Sequence, residues 1–213
     1  IVDDCGYDLA PVKKLSELPI KMSFAILPFK ANSSAALEVI QNNGKEAMLH
    51  LPMEPMDASA ASESKMVTVA MTKDEVQAYT KEAVNSLPGI AGVNNHQGSK
   101  ATSNRSTMKA VLEVLKSEGL FFIDSNTYSK SVGDQAAEEL GVATARNQKF
   151  LDNSSDVDDI KKNIWAAAEM ADKNGVAVVI CHARPNTAKA WSEVYSSLKD
   201  SGIKFVNASS IVH

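Results

Sequence analysis

Residues 108–125 read MKAVLEVLKSEGLFFIDS, and this stretch decides the fold. Met108, Val111, Leu112 and Leu115 stand at i, i+3, i+4 and i+7, the spacing of one apolar helix face. Gly119 ends that helix, because glycine enters the left-handed conformation at little cost. Residues 120–123 then form a short apolar run of strand type that stops at Asp124. The phrase is helix, glycine, strand, polar residue. It recurs: Gly44, Gly141, Gly175 and Gly202 also precede strand-like runs.

Working outward, the candidate strands are 1–3, 22–26, 47–49, 92–94, 120–123, 142–145, 176–180 and 204–206. Helical spacing fills the intervals, as at Trp191, Val194, Tyr195 and Leu198, and at Val157, Ile160 and Ile164. Thr72 and Glu75 form a capping box that opens a helix running to about Leu87, with Pro88 and Gly89 as its stop. Alternation of this kind predicts an α/β fold, a distorted (β/α) barrel of about seven or eight mostly parallel strands. An open doubly wound sheet is second choice, partly because neither nucleotide-binding glycine motif is present.

The 213 residues fit one domain, 1–213, with no linker-like shift in composition. A hydrophobic content of 44%, net charge of −4 and pI near 5.6 argue against nucleic acid as a partner, since no basic stripe is available to displace phosphate counterions. No apolar stretch approaches the roughly 20 residues of a transmembrane helix. The chain shows no signal peptide and opens inside what reads as a core strand, so an upstream segment is expected to have been removed. Cys5 and Cys181 do not make a disulfide framework; buried free thiols are the expectation, with a bridge or shared metal site the alternative.

In a parallel α/β fold the carboxyl ends of the strands open onto one face. His50, His96 and His182 each follow an apolar strand-like run, and Asp3 and Asp4 end the first. Metal-ligand and acid/base groups distant in sequence are therefore expected to meet. His50 and Glu54 are four apart between prolines and could both face one ion, in a turn rather than a helix; Glu54 could equally brace the loop. Asn94, Asn95, His96, Gln97 and Ser99 carry more hydrogen-bonding groups than a turn needs, which suits a many-hydroxyl ligand. His182 is a candidate general acid or a satisfied core residue. Asp124 and Arg146 are candidates for orienting groups or a structural ion pair, and Asp152 also falls after a strand end. The long segment 51–71, rich in Ser, Ala and Met, is expected to form a substrate-binding rim.

Five phrases in this order resemble the divergent polysaccharide deacetylase family, a distant branch of the NodB-type carbohydrate esterases. They are Val2-Asp3-Asp4-Cys5-Gly6, His50-Leu51-Pro52-Met53-Glu54-Pro55, Gly92-Val93-Asn94-Asn95-His96-Gln97-Gly98-Ser99, Phe121-Phe122-Ile123-Asp124-Ser125, and the late strand ending in His182. The resemblance implies a NodB-like barrel and metal-dependent removal of acetyl groups from N-acetylated sugars of a cell-envelope glycan or related carbohydrate. It implies Asp3 as base, His182 as acid, Asp4 and His50 as ligands of a divalent metal, Zn²⁺ first. Typical relatives place a second histidine four residues after the first, where this chain has Glu54, so His96 or Glu54 completes the metal set. Asn94, Asn95, Gln97, Ser99, Asp124 and Arg146 are the substrate-binding candidates. An extracytoplasmic location follows from that substrate. The alternatives are a non-catalytic glycan-binding pseudoenzyme on the same barrel, or a metal-dependent hydrolase of another amide or ester. Only Arg146 and Arg184 offer cations for a phosphoester.

Overall fold

The structure, a computed structural model, describes residues 1–213. Strands and helices alternate as β1 (Val2–Cys5), α1 (Leu9–Ser16), β2 (Ser23–Ile26), α2 (Ser33–Asn42), β3 (Glu46–Met53), α3 (Lys73–Asn85), β4 (Gly92–Gln97) and α4 (Arg105–Glu118). They continue as β5 (Phe121–Asp124), α5 (Gly133–Leu140), β6 (Thr144–Arg146), β7 (Lys149–Phe150), α6 (Val157–Asn174), β8 (Val179–His182) and α7 (Pro185–Asp200). The expected capping box at Thr72 and Glu75 is formed at the start of α3. Gly119, Gly141 and Gly175 end their helices in the left-handed conformation.

Every ladder is parallel, and the strand order is β6-β5-β4-β3-β2-β1-β8-β7. The edge strands β6 and β7 are separated in sequence only by Asn147 and Gln148. Asn147 N–H donates to the Asp124 carbonyl on one side, and Gln148 N–H donates to the Val178 carbonyl on the other. One extended segment thus pairs first with β5 and then with β8, so the sheet curls into an incomplete barrel whose seam is a continuous stretch of chain. The open-sheet alternative falls with this.

Alternation along each strand sorts the side chains into two layers. Leu49, Leu51, Met53, Val93 and Phe122 point out to the helices, within a buried cluster of 45 residues. Ala25, Met48, Phe121 and Ile123 form a separate buried cluster with Ala208. Gly92 makes room for this inner plug: a Cβ there would lie 2.3 Å from the Phe121 ring. His50 has the same parity as Met48, and Asn94 and His96 the same parity as Gly92. The polar residues therefore stand above an apolar floor.

Three strand expectations are corrected. Residues 204–206 join no ladder; Phe205 packs edge-on against Trp191 of α7, with ring centroids 6.0 Å apart, and that packing takes the place of a strand partner. The strand expected over 176–180 starts at Val179, and β7 was too short to read. Strand β3 runs on through Pro52 to Met53, where a turn was expected. It does so past the last β2 pairing, Ile26 with Leu49, so the missing N–H of Pro52 leaves no β2 acceptor without a donor.

Candidate active site

The register sets the level of each group. Asp3 lies beside His182, His50 beside Asn94, and Pro52 beside His96. In a regular strand Asp3 and Asp4 would point to opposite faces. The β1 ladder is irregular between Val2 and Cys5, and Asp4 adopts φ 61°, in the left-handed region. Both carboxylates consequently approach the same imidazole, with Asp3 Oδ2 and Asp4 Oδ1 each 3.5 Å from His50 Nε2. Gln97 and Asn126, at the ends of β4 and β5, also have positive φ, so backbone strain gathers on this face.

Asp4, His50 and His96 offer ligand atoms within 4.8 Å of one another. His96 Nδ1 lies 3.0 Å from His50 Nε2 and 3.2 Å from Asp4 Oδ1. Asp4 Oδ1 is buried and, although close to both imidazoles, accepts no hydrogen bond of proper geometry. The remaining imidazole nitrogens are braced: His50 Nδ1 by Asn94 Oδ1 at 2.7 Å, His96 Nε2 by Ser62 Oγ at 2.8 Å. Asn94 Nδ2 also donates to Asp3 Oδ1 at 2.8 Å, tying the candidate base to the candidate ligand.

On the other side of β1, His182 Nδ1 meets Asp152 Oδ1 at 2.8 Å. Asp152 Oδ2 accepts from the His182 N–H and from Thr187 Oγ1. The Phe150 ring stacks on the imidazole, with centroids 6.0 Å apart and planes 11° from parallel. His182 Nε2 has no partner in the protein.

Charge and burial act differently on these groups. Burial opposes charge on Asp4, but the imidazoles of His50 and His96 outweigh it and hold the carboxyl below the ordinary range. Burial also opposes charge on His50, yet Asp3 and Asp4 raise its pKa above the usual 6.5. For His96 burial wins, and the pKa falls. His182 is raised: burial lowers it, and the hydrogen bond and charge of Asp152 more than compensate. Asp152 is lowered by the same bond against its own burial.

The other expected site residues are placed as follows. Glu54 stands outside the cluster, with Oε1 bound to Lys100 Nζ at 2.7 Å and Oε2 accepting from Val69 N–H at 2.8 Å. The reason is β3 itself: four residues of strand separate His50 and Glu54 by roughly 13 Å, too far for one ion. The substrate-binding candidates spend their hydrogen bonds within the protein. Asn95 and Asp124 are fully buried; Asn95 accepts from Ser125 N–H, and Asp124 from Asn126 N–H and Ser131 Oγ. Asn94 braces Asp3 and His50 as described. Gln97 holds the loop at Ala60 and Ser62, Ser99 Oγ accepts from Met56 N–H, and Arg146 bonds Asp134 and Asn126. Arg184, the other candidate cation, bonds the Asp152 carbonyl. Segment 51–71 does border the site, though its first three residues belong to β3.

Sequence reasoning placed Asp152 after a strand end without giving it a partner, and it missed Ser62. The strand before Asp152 has two residues, too few to show which way its neighbours point, and Ser62 is one serine among several in a loop. Cys5 and Cys181 are free and buried outside the cluster; burial pushes the Cys181 thiol up to about 12 and Cys5 well above its usual value. A cavity of about 560 Å³ lies at the opposite end of the barrel, where Met22, Val178, Trp191 and Phe205 line it. It is mostly apolar and holds none of the histidines.

The sequence model of the divergent polysaccharide deacetylase family matches residues 1–212. The uncharacterized protein YibQ of Escherichia coli K12 is 32% identical over 213 residues, covering 100% of this chain and 66% of that protein. The chain thus spans a little under two thirds of that relative's length. Among solved structures, the uncharacterized protein ATU2773 of Agrobacterium tumefaciens C58 superposes with a TM-score of 0.93 at 18% identity, over 99% of this chain and 87% of that one. BA3943 of Bacillus anthracis, a CE4 family pseudoenzyme, gives a TM-score of 0.57 at 12% identity, over 99% of this chain and 63% of that one. At these identities the two structures speak for the fold alone, and they support the NodB-like barrel. By the match over residues 1–212, the chain belongs to the divergent polysaccharide deacetylase family.

Proposed function

We propose that this protein is a metal-dependent hydrolase that removes acetyl groups from N-acetylated sugars of a cell-envelope glycan. The observation that carries the reading is the convergence of Asp4, His50 and His96, with Asp3 and the His182–Asp152 pair on the same face. Two imidazoles and one carboxylate suit Zn²⁺. The orphaned Asp4 Oδ1 beside two imidazole nitrogens 3.0 Å apart fits a shared cation, which would take up the oxygen left without a hydrogen bond. Bound there, the metal would acidify a water and polarise the acetamide carbonyl.

The protein's own groups supply the proton transfers. Asp3, held through Oδ1 by Asn94, keeps Oδ2 to take the proton of the attacking water. His182 gives a proton to the departing nitrogen, which is a poor leaving group as an anion. Asp152 fixes the ring through Nδ1 and favours its charged form, as a proton donor requires. Phe150 covers one face of the ring and limits its rotation. A substrate of this kind puts the protein outside the cytoplasm, and no helix is long and apolar enough to cross a membrane.

The test is metal content together with acetate release from N-acetylglucosamine oligomers. His50→Ala and His96→Ala are expected to lose the metal. Asp3→Asn and His182→Ala are expected to keep it and lose turnover by at least about 10²-fold. Full activity in folded Asp3→Asn and His182→Ala would overturn the assignment. A metal-loaded wild type with no turnover on any acetylated glycan would leave the glycan-binding pseudoenzyme in its place.

A further inference from the structure

Strand β3 ends at Met53, and the chain returns beside it at Val67. Glu54 N–H donates to the Val67 carbonyl at 2.8 Å, and Val67 N–H to the Pro52 carbonyl at 2.9 Å. The two ends of the intervening loop are therefore clamped together, as in an Ω-loop. Pro55 and Val67 are buried at its base, and none of residues 56–66 is buried between them. Lys65 is held to α3 by Glu82 at 2.8 Å and by the Tyr79 hydroxyl, which donates to its carbonyl at 2.9 Å. Residues 56–64 are left as the span that reaches the site.

No backbone-to-backbone bond joins this span to the barrel. It is tied down through side chains: Met56 N–H to Ser99 Oγ, Gln97 Nε2 to the Ala60 carbonyl, Ser62 N–H to Gln97 Oε1, and Glu63 to Lys30 and the Tyr7 hydroxyl. A segment with so little burial opens locally at small cost. One further tie is different in kind, because Ser62 Oγ lies 2.8 Å from Nε2 of His96, a candidate metal ligand. A neutral imidazole carries one N–H. His96 Nδ1 faces His50 Nε2 at 3.0 Å and Asp4 Oδ1 at 3.2 Å, so without a cation the hydrogen has partners on both sides of the ring. With Nδ1 on a cation that choice is gone. The hydrogen then sits on Nε2, and the nearby charge makes it a stronger donor to Ser62 Oγ.

We propose that residues 56–64 are a lid whose closure is coupled to cation occupancy through the His96–Ser62 bond, so that the rim of the site is fixed only in the loaded protein. This rests on the cation site proposed above, though not on the deacetylation itself. By linkage, lid closure and cation affinity strengthen each other by the same factor. The test follows amide exchange at Ser59, Ala60, Ala61 and Ser62, whose N–H groups are bonded within the lid or to Gln97. It compares the full chain with and without zinc chloride, and measures zinc affinity by competition with a chelator.

Zinc is expected to slow exchange at these amides about tenfold, and Ser62→Ala to abolish the slowing. Glu63 bonds Tyr7 and Lys30 and none of the candidate ligands. Glu63→Ala is nevertheless expected to weaken zinc about threefold by loosening the lid, and to add nothing in the Ser62→Ala background. Zinc binding that leaves lid exchange unchanged, or wild-type zinc affinity in Glu63→Ala, would overturn the coupling. The two readings can fail separately. Zinc-dependent protection of the lid without acetate release keeps the coupling and removes the deacetylase reading. Acetate release with exchange indifferent to zinc does the reverse. A wild type that binds no zinc overturns both.

Discussion

His50 and His182 each end an apolar strand, and each is anchored through Nδ1, yet the anchors differ. His50 leans on the neutral amide of Asn94, whereas His182 leans on the carboxylate of Asp152. Their free nitrogens differ as well. His50 Nε2 faces a second imidazole at 3.0 Å and two carboxylates at 3.5 Å, while His182 Nε2 has no protein partner. An amide anchor orients a ring without adding charge, which suits a neutral ligand among groups awaiting a cation. A carboxylate anchor stabilises the imidazolium, which suits a proton donor. One side of the cleft is left electrostatically incomplete and the other is complete, and in the proposed mechanism this division separates metal binding from proton transfer.

Removing the charge from the second anchor gives the largest effect on that contrast. Asp152→Asn is expected to keep zinc and lower kcat on the order of 10²-fold, because asparagine can also donate to Nδ1 and favour the wrong tautomer. The alkaline limb of the pH–rate profile reports the protonated acid, so it should sit above 6.5 in the wild type and move to lower pH in the variant. Stability carries the same signature. The raised His182 contributes below its unfolded value near 6.5, and this is lost as pH rises through the folded pKa. The lowered Asp152 contributes above 3.8, and this is lost as pH falls through its folded pKa. The melting temperatures of variant and wild type should therefore differ most between pH 3.8 and 6.5. A pH–rate limb unmoved by Asp152→Asn would show that another group is the acid.

A smaller effect is expected on the metal side. Ser62 bonds the outward nitrogen of His96 but comes from a loop, so Ser62→Ala should leave the fold intact and weaken zinc by about tenfold. Competition with a chelator measures this. Unchanged affinity would mean that His96 is oriented by the strand alone, and the loop would lose its part in the site.

The legible part of the molecule follows from periodicity. The helix–glycine–strand phrase repeats with enough residues to show in the sequence, and strand ends in a parallel sheet must share a face, so His50, His96, His182, Asp3 and Asp4 could be gathered without coordinates. What was hidden depends on single residues. The left-handed turn at Asp4 brings two adjacent carboxylates to one imidazole, and no residue type announces it. The pairing of Asp152 with His182 was hidden too, because the strand before Asp152 has two residues, below the length at which alternation can be seen. The amides at 94, 95 and 97 read as sugar contacts because a sequence gives polarity but not partners. The fold uses them on Asp3 and His50, on Ser125, and on the loop at Ala60.

Glu54 gives the smallest expected effect and the sharpest test of where the metal side ends. As a ligand, its loss would empty the site; as a brace, it matters only to the loop. Both oxygens are taken, one by Lys100 and one by the Val69 N–H, and the Lys100 pair is half-exposed, so solvent screens much of its worth. Glu54→Gln should keep one equivalent of zinc and cost about 1 kcal/mol or less. Burial opposes charge on Glu54, and the bonds from Lys100 and Val69 outweigh it to lower the pKa from 4.5. The pair thus contributes above pH 4.5 and loses its contribution as pH falls through the folded pKa, so variant and wild type should converge in stability in acid. Zinc loss in Glu54→Gln would instead require β3 to bend after Pro52 and bring Glu54 back to His50, and the separation drawn between ligand and brace would not survive it.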